Sequence, residues 1–332
     1  MSAGGGRQRT LAEYLAARVA AGVPLVVGVV TLVFVLVHAA PGDPTLALVG
    51  DFPVPDEYRA QIRETFGLDR PIAEQYVRYV ASLLRGDLGF SYAQRRPVLD
   101  VVLERAGATA LLTGTALLFS TATGILLGAL AARRPFSWLD HAIGGGSLVG
   151  FSVPVFWLGQ IFILVFAVLL GWLPAQGMVS LRADPQGLGR VLDIAAHLVL
   201  PALALGLRQV AMTARLTRAS LLEVLSRDFI RSAHAKGASR ARVLLGHALP
   251  NALLPVVTFV GYNLGFLLAG SALVETVFGW PGLGRLLYDS VFSRDYPVLL
   301  GIFLTVSLTV VAANIVTDLL YAYLDPRIRL AR

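Results

Sequence analysis

The chain has 332 residues, 56% hydrophobic and 15% charged, with no cysteine and a formal net charge of +7, and its mean hydropathy is +0.69. A soluble domain carries about 25% charged residues, so this chain cannot hide its apolar surface inside one globule and is built for a bilayer. Without thiols it has no disulfide framework, Cys-ligated zinc, iron–sulfur centre or thiol nucleophile.

A bilayer core of about 30 Å needs about 20 apolar residues of helix, and six stretches of the chain meet or approach that length. The first is Val19 to Val37, between Arg18 and the polar run His38 to Pro44. A cleaved signal peptide is the competing reading, because Val37-His38-Ala39 resembles a cleavage site, but an uncharged run this long exceeds the usual 7 to 15 residues of a signal core. The segment that follows reads as a structured cap on the membrane surface. Pro55-Asp56-Glu57 opens a short helix stopped by Gly67, and Asp69-Arg70-Pro71 opens another, with Ile72, Tyr76, Tyr79 and Leu83 on one face and Gly86 at its end.

The second span, Ala106 to Ala132, ends at Arg133 and Arg134. The uncharged run Ala142 to Leu181 would be about 60 Å as one helix, too long for one crossing, and Gly171-Trp172-Leu173-Pro174 supplies the stop. A third span from about Ile143 to Leu170, kinked at Pro154, is therefore expected. The fourth, Ile194 to Leu216, is interrupted by Pro201 and Arg208, and an Arg costs about 2.5 to 3.5 kcal/mol at a helix centre but far less near an end, where it snorkels to water. The fifth lies within Val243 to Val274, from Asn251 onward, and the sixth is Tyr296 to Thr317, closed by Asp318. With the N-terminus inside, sixteen cations fall in cytoplasmic segments against four in short outside loops, so both termini are expected in the cytoplasm.

Chemistry is sparse. No Gly-x-x-x-x-Gly-Lys-Ser/Thr loop exists, so ATP is not bound by that route, and the five His residues (His38, His141, His197, His234, His247) show no metal-ligand spacing. No basic stretch interleaved with stacking aromatics marks a nucleic-acid surface. An intramembrane serine hydrolase would need Ser147, in Gly145-Gly146-Ser147, to meet His197, yet the two are expected near opposite ends of their spans. Small residues are in any case ordinary packing in membrane helices.

The informative stretch is Arg215 to Pro250. Leu221, Leu222, Leu225, Phe229 and Ile230 have helical apolar spacing, and Ala233, Ala235, Gly237 and Ala238 form a small-residue patch on which another protein could seat closely. A cationic helix resting on anionic lipid is the alternative reading of the composition. Arg231-Ser232-Ala233-His234-Ala235-Lys236-Gly237, followed by His247-Ala248-Leu249-Pro250, resembles the Glu-Ala-Ala…Gly loop of ABC importer permeases, with Arg rather than Glu at 231. Within that superfamily the chain resembles the DppB/OppB-like permeases of dipeptide and oligopeptide importers. The match spreads through Pro41-Gly42-Asp43-Pro44, Gly67-Leu68-Asp69-Arg70-Pro71, Gly86-Asp87-Leu88-Gly89, Pro154-Val155-Phe156-Trp157-Leu158-Gly159, Asn251-Ala252-Leu253-Leu254-Pro255, Glu275-Thr276-Val277-Phe278, Trp280-Pro281-Gly282-Leu283-Gly284, Arg294-Asp295-Tyr296-Pro297 and Asp325-Pro326-Arg327-Ile328-Arg329.

The resemblance implies an all-α, six-span protein with an ABC transmembrane type-1 (MetI-like) domain, not catalytic by itself. Its parts would be a cytoplasmic N-terminus (1–18), a first transmembrane helix (19–38), an extracytoplasmic cap (39–105), a five-helix domain (106–322) with a coupling loop (217–250), and a cytoplasmic tail (323–332). Residues Arg231 to Ala238 (Arg231, Ser232, Ala233, His234, Ala235, Lys236, Gly237 and Ala238) would then form a coupling helix seated in a groove of an ATPase subunit, so that motion of the nucleotide-driven dimer rotates the membrane helices. Gly237 would serve as a turn where a side chain clashes with the groove or forbids a positive φ, or as an ordinary C-cap. Lys236 and Arg240 would pair with acids on the partner or serve the charge rule alone.

The implied partners are a second permease in a heterodimer, two ATP-binding subunits that hold the ATP and Mg, an extracytoplasmic substrate-binding protein, and membrane lipid. The implied home is the bacterial inner membrane and the implied cargo short peptides, with nickel, glutathione or an oligosaccharide as alternatives. Trp280, Pro281 and Gly282 would belong to the docking surface for the binding protein. Asn263, Glu275 and Asn314 are candidate polar groups of the translocation path, since polar residues in spans face protein or water; hydrogen bonding between helices is the other reading open to them.

Overall fold

The computed structural model describes residues 11–39, 55, 57, 69–91, 93–180 and 186–324. The elements in chain order are α1 (Leu11–Ala39), α2 (Ile72–Leu84), β1 (Phe90–Ser91), β2 (Arg96–Pro97), α3 (Val98–Arg133), α4 (Trp138–Ser152) and α5 (Val155–Phe162), which continues as a π-helix over Ile163–Leu169. Then come α6 (Leu188–Leu225), α7 (Asp228–Ala235), the single turn α8 (Arg240–Arg242) with a π-helix over Val243–Ala248, α9 (Leu249–Val277), α10 (Leu283–Phe292) and α11 (Tyr296–Leu324). The two strands pair antiparallel, Phe90 with Pro97 and Ser91 with Arg96.

Five helical stretches are long and apolar enough to cross a bilayer, at residues 16–36, 98–133, 188–225, 240–265 and 296–319; there are six if the bent pair α4 and α5 is one crossing. That pair corrects the expectation of one kinked helix from 143 to 170, because its two halves diverge by 103°. Val153 leaves the helix (φ −77°, ψ 129°), as the residue before a proline tends to do, and Pro154 cannot supply the missing N–H. The fourth span also differs. α6 runs through 38 residues, well past 194–216, so Arg208 lies deep within the helix rather than near an end. The Pro41–Pro44 motif, the helix expected from Pro55 to Gly67, the Asp325–Arg329 motif and the C-terminal cations lie outside the described residues.

The chain divides into two compact units, and several long helices contribute a part to each. In the first (residues 1–19, 110–280 and 310–332), α6 is the central helix. α3 approaches it through glycines, since a Cβ on Gly124 would fall 2.5 Å from Thr213 Cβ and one on Gly128 2.6 Å from the Ala214 carbonyl oxygen, and α9 meets α11 in the same way, a Cβ on Gly261 running into the Thr317 side chain. Such close backbone approach gives van der Waals contact where lipid supplies no hydrophobic drive. Arg18 grips Asp318 with two contacts of 3.0 and 3.1 Å, tying the start of α1 to the end of α11.

The second unit (residues 20–109 and 281–309) holds the cap helix α2. Thr31 and Tyr76 share a 2.6 Å hydrogen bond, His38 Nε2 lies 3.2 Å from Gln75 Oε1, and Phe34 packs its ring against those of Tyr76 and Tyr79. Tyr76, Tyr79 and Leu83 turn inward as the spacing predicts, but Ile72 is 61% exposed. Burial pushes the Tyr79 hydroxyl pKa up. A second cluster gathers Val98, Val101, Val102, Leu283, Leu286, Val298 and Ile302. Thr109 Oγ1 accepts from the Leu283 amide at 2.7 Å, satisfying a free N–H at the start of α10.

Candidate functional site: a coupling helix and the membrane polar groups

The segment 226–250 builds a short helix clamped from one side. α7 begins with Asp228, whose carboxylate stands where the helix dipole favours it. Arg227 reaches back to Glu223 at 2.7 Å, and Arg231 to Asp228 at 3.3 Å. Ile230, 3% exposed, is the anchor, because it enters a cluster with Ala132 at the end of α3, Leu221 and Val224 at the end of α6, and Val243, Ala248 and Ala252 on the approach to α9. The remaining surface faces outward: Phe229 is 43% exposed, and Arg231, Ser232, His234, Ala235, Lys236 and Gly237 are exposed, with Ala233 and Ala238 half-buried.

The helix then stops abruptly. Gly237 has φ +81°, its amide donates to the His234 carbonyl at 2.9 Å, and the Ala238 amide donates to the Ala233 carbonyl at 3.2 Å. This is the two-bond Schellman closure, which needs a left-handed residue at its centre. A Cβ on Gly237 would meet nothing within 4 Å, so the chain itself leaves that position open. The same closure ends α9, with Gly279 at φ +60° and the Trp280 amide donating to the Glu275 carbonyl at 2.8 Å. Seen as chemistry, α7 is a rigid knob of small and cationic side chains, fixed by one isoleucine to the ends of three long helices.

The polar candidates sit less openly than their chemistry implied. Glu275 is fully buried and Asn263 is 8% exposed, with Asn263 Nδ2 donating to its own helix at the Phe259 carbonyl, 2.7 Å away. Asn314 alone of the three is exposed. Trp280 is fully buried and Gly282 is buried as well, leaving Pro281 half-exposed. The indole is thus packed inside, and of the three only Pro281 shows surface that a docking protein could touch: the Trp-Pro-Gly pattern signalled a turn, but not which way the ring points.

Ser147 and His197 are both buried, yet the His197 ring engages Asp193 one turn back, with Nδ1 2.8 Å from the Asp193 carbonyl oxygen. The Asp193 carboxylate is taken up by the Ser180 amide and hydroxyl at 2.7 and 2.6 Å, and among the described residues no hydrogen bond joins Ser147 to His197. Among those residues, too, no three His, Asp or Glu gather as a metal site.

One constellation escaped the sequence reading. Arg218 donates from Nε and Nη2 to both oxygens of Asp140, at 2.5 and 2.7 Å, and Asp140 also accepts from the Phe136 amide at 2.9 Å. The signal was available in the lone acid Asp140, six residues beyond the Arg133-Arg134 pair, but its partner lies 78 residues away.

Five or six helices long and apolar enough to cross a bilayer, with an outward-facing helical knob clamped to the ends of three of them, describe a multi-pass membrane protein with a surface suited to a partner. The profile described as binding-protein-dependent transport system inner membrane component matches residues 124–330, and its N-terminal companion matches residues 11–113. The chain belongs to this family. It is therefore a multi-pass inner-membrane protein, the non-catalytic permease subunit of an ATP-driven importer that works with ATPase and binding-protein partners. It is 41% identical over 334 residues to the dipeptide transport system permease protein DppB of Escherichia coli K12, covering 96% of this chain and 98% of that one. It is 41% identical over 331 residues to the di/tripeptide permease DppB of Pseudomonas aeruginosa UCBPP-PA14, covering 96% and 98%, and 42% identical over 318 residues to the glutathione permease GsiC of Escherichia coli K12, covering 96% and 99%. Among solved structures, an inward-facing form of the MetNI methionine ABC transporter shares the fold with TM-score 0.55 at 19% identity, over 68% of this chain and 97% of that one.

Proposed function

We propose that the importer carries short peptides and that α7 is the element through which this chain is driven. The observation that carries the coupling role is the Ile230 clamp: a knob fixed to the ends of α3, α6 and the approach to α9 can move those helices together when its exposed face is gripped. In this reading Arg231 to Ala238 contact an ATPase subunit, and the assembly holds a second, related permease, two ATP-binding subunits that bind the ATP and Mg, and an extracytoplasmic binding protein. Peptide cargo is supported by the dipeptide and di/tripeptide relatives. The glutathione relative of equal similarity supports a neighbouring reading, since glutathione is itself a tripeptide.

The cap, residues 39–105, and the exposed part of the turn at Pro281 would receive the binding protein. The coupling loop 217–250 belongs to the domain 106–322, and Asn314 would face the path or the second permease. Both termini, 1–18 and 323–332, would lie in the cytoplasm, which the Arg18–Asp318 grip supports by holding the two ends on one side. Because the chain has no cysteine, single probes are clean. His234→Cys in the assembled importer should crosslink to the ATPase, while a cysteine at exposed Val19 should not. Absence of the His234 crosslink in a transport-competent assembly would overturn the coupling role, and a tag after Arg332 found outside the cell would overturn the topology.

A further inference from the structure

α4 and α6 run antiparallel with two fixed points. At one end stands the Arg218–Asp140 pair, and at the other the Arg208 guanidinium lies over the Phe151 ring, 4.7 Å from its centroid. Eleven residues separate Asp140 from Phe151 and ten separate Arg218 from Arg208, so Arg208 lies roughly 15 Å further along the helices than the ion pair. A bilayer core is about 30 Å thick. With Asp140 next to the loop that joins α3 to α4, Arg208 comes near the midplane.

The surroundings of Arg208 are unusual. It is the only Asp, Glu, Lys or Arg between Asp193 and Arg215, and the only exposed residue from Leu200 to Ala214 on a helix otherwise covered by its neighbours. Among the described residues no carboxylate reaches it, and the Phe151 ring face is the contact it makes. A guanidinium cannot shed its charge, and an ionised group in the membrane interior requires a partner or water. The described residues supply no such partner, which leaves room for one from outside the chain. A lipid phosphate lies at the membrane surface, farther away than an arginine at this depth bridges by snorkelling. The chain also breaks beside Phe151, at the 103° bend between α4 and α5; the shallow apolar depression at that bend is lined by Leu148, Ser152, Pro154, Phe156 and Trp157 and does not include Phe151 or Arg208. Secondary transporters build cargo sites at broken helices near the midplane, and the same physical need to satisfy charge at that depth applies here.

We infer that Arg208 is a cargo-binding residue that takes a carboxylate of the solute in passage, the C-terminal carboxylate where the solute is a peptide. Phe151 holds the guanidinium in place by cation–π contact until the carboxylate arrives, and the planar fork then receives it through two parallel hydrogen bonds. The peptide form of this inference rests on the cargo proposed above; the carboxylate form does not.

The test uses the complete importer in liposomes, with one peptide prepared as the free acid and as the carboxyamide, each loaded onto the binding protein to the same measured occupancy. Arg208→Gln should lower the acid-to-amide uptake ratio about tenfold, and Arg208→Lys should restore part of it. An unchanged ratio with uptake intact overturns the inference. So does an equal loss for both peptides, which would mark a structural role or a carboxylate from the second permease, and so does a loss that follows anionic lipid content, which would mark a headgroup. Should the wild-type assembly take up neither peptide, the peptide reading fails alone, and a second measurement decides on Arg208: modification of Arg208 by phenylglyoxal in the assembly, read by mass spectrometry. Slower modification with millimolar acid but not amide supports the site, and equal rates overturn it.

Discussion

Gly237 separates two physical roles that a single substitution would confuse. At φ +81° any side chain with a Cβ pays about 1–2 kcal/mol for the left-handed conformation, a factor of about 5 to 30 in the population of the closed turn. Asparagine pays less, because its side chain tolerates that region. No atom of the chain lies within 4 Å of the absent Cβ, so residue size adds no clash inside this protein. Gly237→Ala therefore measures the turn, and any loss in Gly237→Trp beyond that of Gly237→Ala measures what the chain meets outside itself. The assay is the dissociation constant of the detergent-solubilised chain for its ATPase subunits, together with solute moved per ATP hydrolysed. The expected order of impairment is Asn, then Ala, then Trp, with a further step of about tenfold or more from Ala to Trp if a close-fitting groove receives the loop. If Trp binds as tightly as Ala, there is no groove at Gly237; if Asn is as weak as Ala, the turn strain is misjudged.

Three further outcomes follow from the packing. With side-chain exposures of 7% for Asp140 and 31% for Arg218, their pair lies between the surface and buried limits, so Arg218→Ala or Asp140→Ala should cost about 2–3 kcal/mol each; the double variant should cost little more, and additive losses in denaturant unfolding would refute the pairing. Burial holds the Asp295 carboxyl above its ordinary range, partly offset by the hydrogen bond it accepts from Ser91, so the folded chain holds that proton more tightly than the unfolded one. The associated stability is complete below the unfolded value of about 3.9 and lost as pH rises through the higher folded one: the melting temperature should fall across that window, Asp295→Asn should flatten the fall, and parallel profiles would count against it. Gly261→Leu should separate α9 from α11 and lose about 1–3 kcal/mol, with Thr317→Gly restoring part of the loss; thermal melting of the two variants checks it.

Spans one, two and six were legible because long uncharged runs with charged flanks have one reading in a bilayer. The cap helix was legible from Pro71, the face of Tyr76, Tyr79 and Leu83, and Gly86. The fourth span was cut short because counting uncharged residues assumes that every face meets lipid, whereas α6 is covered by protein from Leu200 to Ala214 and carries Arg208, the one charge of that stretch, through a gap in the cover. Pro154 announced a bend, but the 103° change of direction depends on Val153 leaving the helix as well. The turn at Gly237 could be anticipated from a motif, while the clamp at Ile230 could not, because its partners come from the ends of three different helices, Ala132 lying almost a hundred residues away. The burial of Trp280 was not legible for a similar reason: Pro and Gly beside it mark a change of chain direction, and only the packed molecule shows which side of the turn is covered.

At 38 residues, α6 measures roughly 57 Å end to end, nearly twice the thickness of the oily layer it crosses. A rod of that length tilted by about 5° about one end carries the other through roughly 5 Å. If the proposed coupling role holds, a small angular stroke delivered beside Ile230 would arrive at the far end of α6 as a step as wide as a peptide backbone, and no part of the rod need unfold to deliver it.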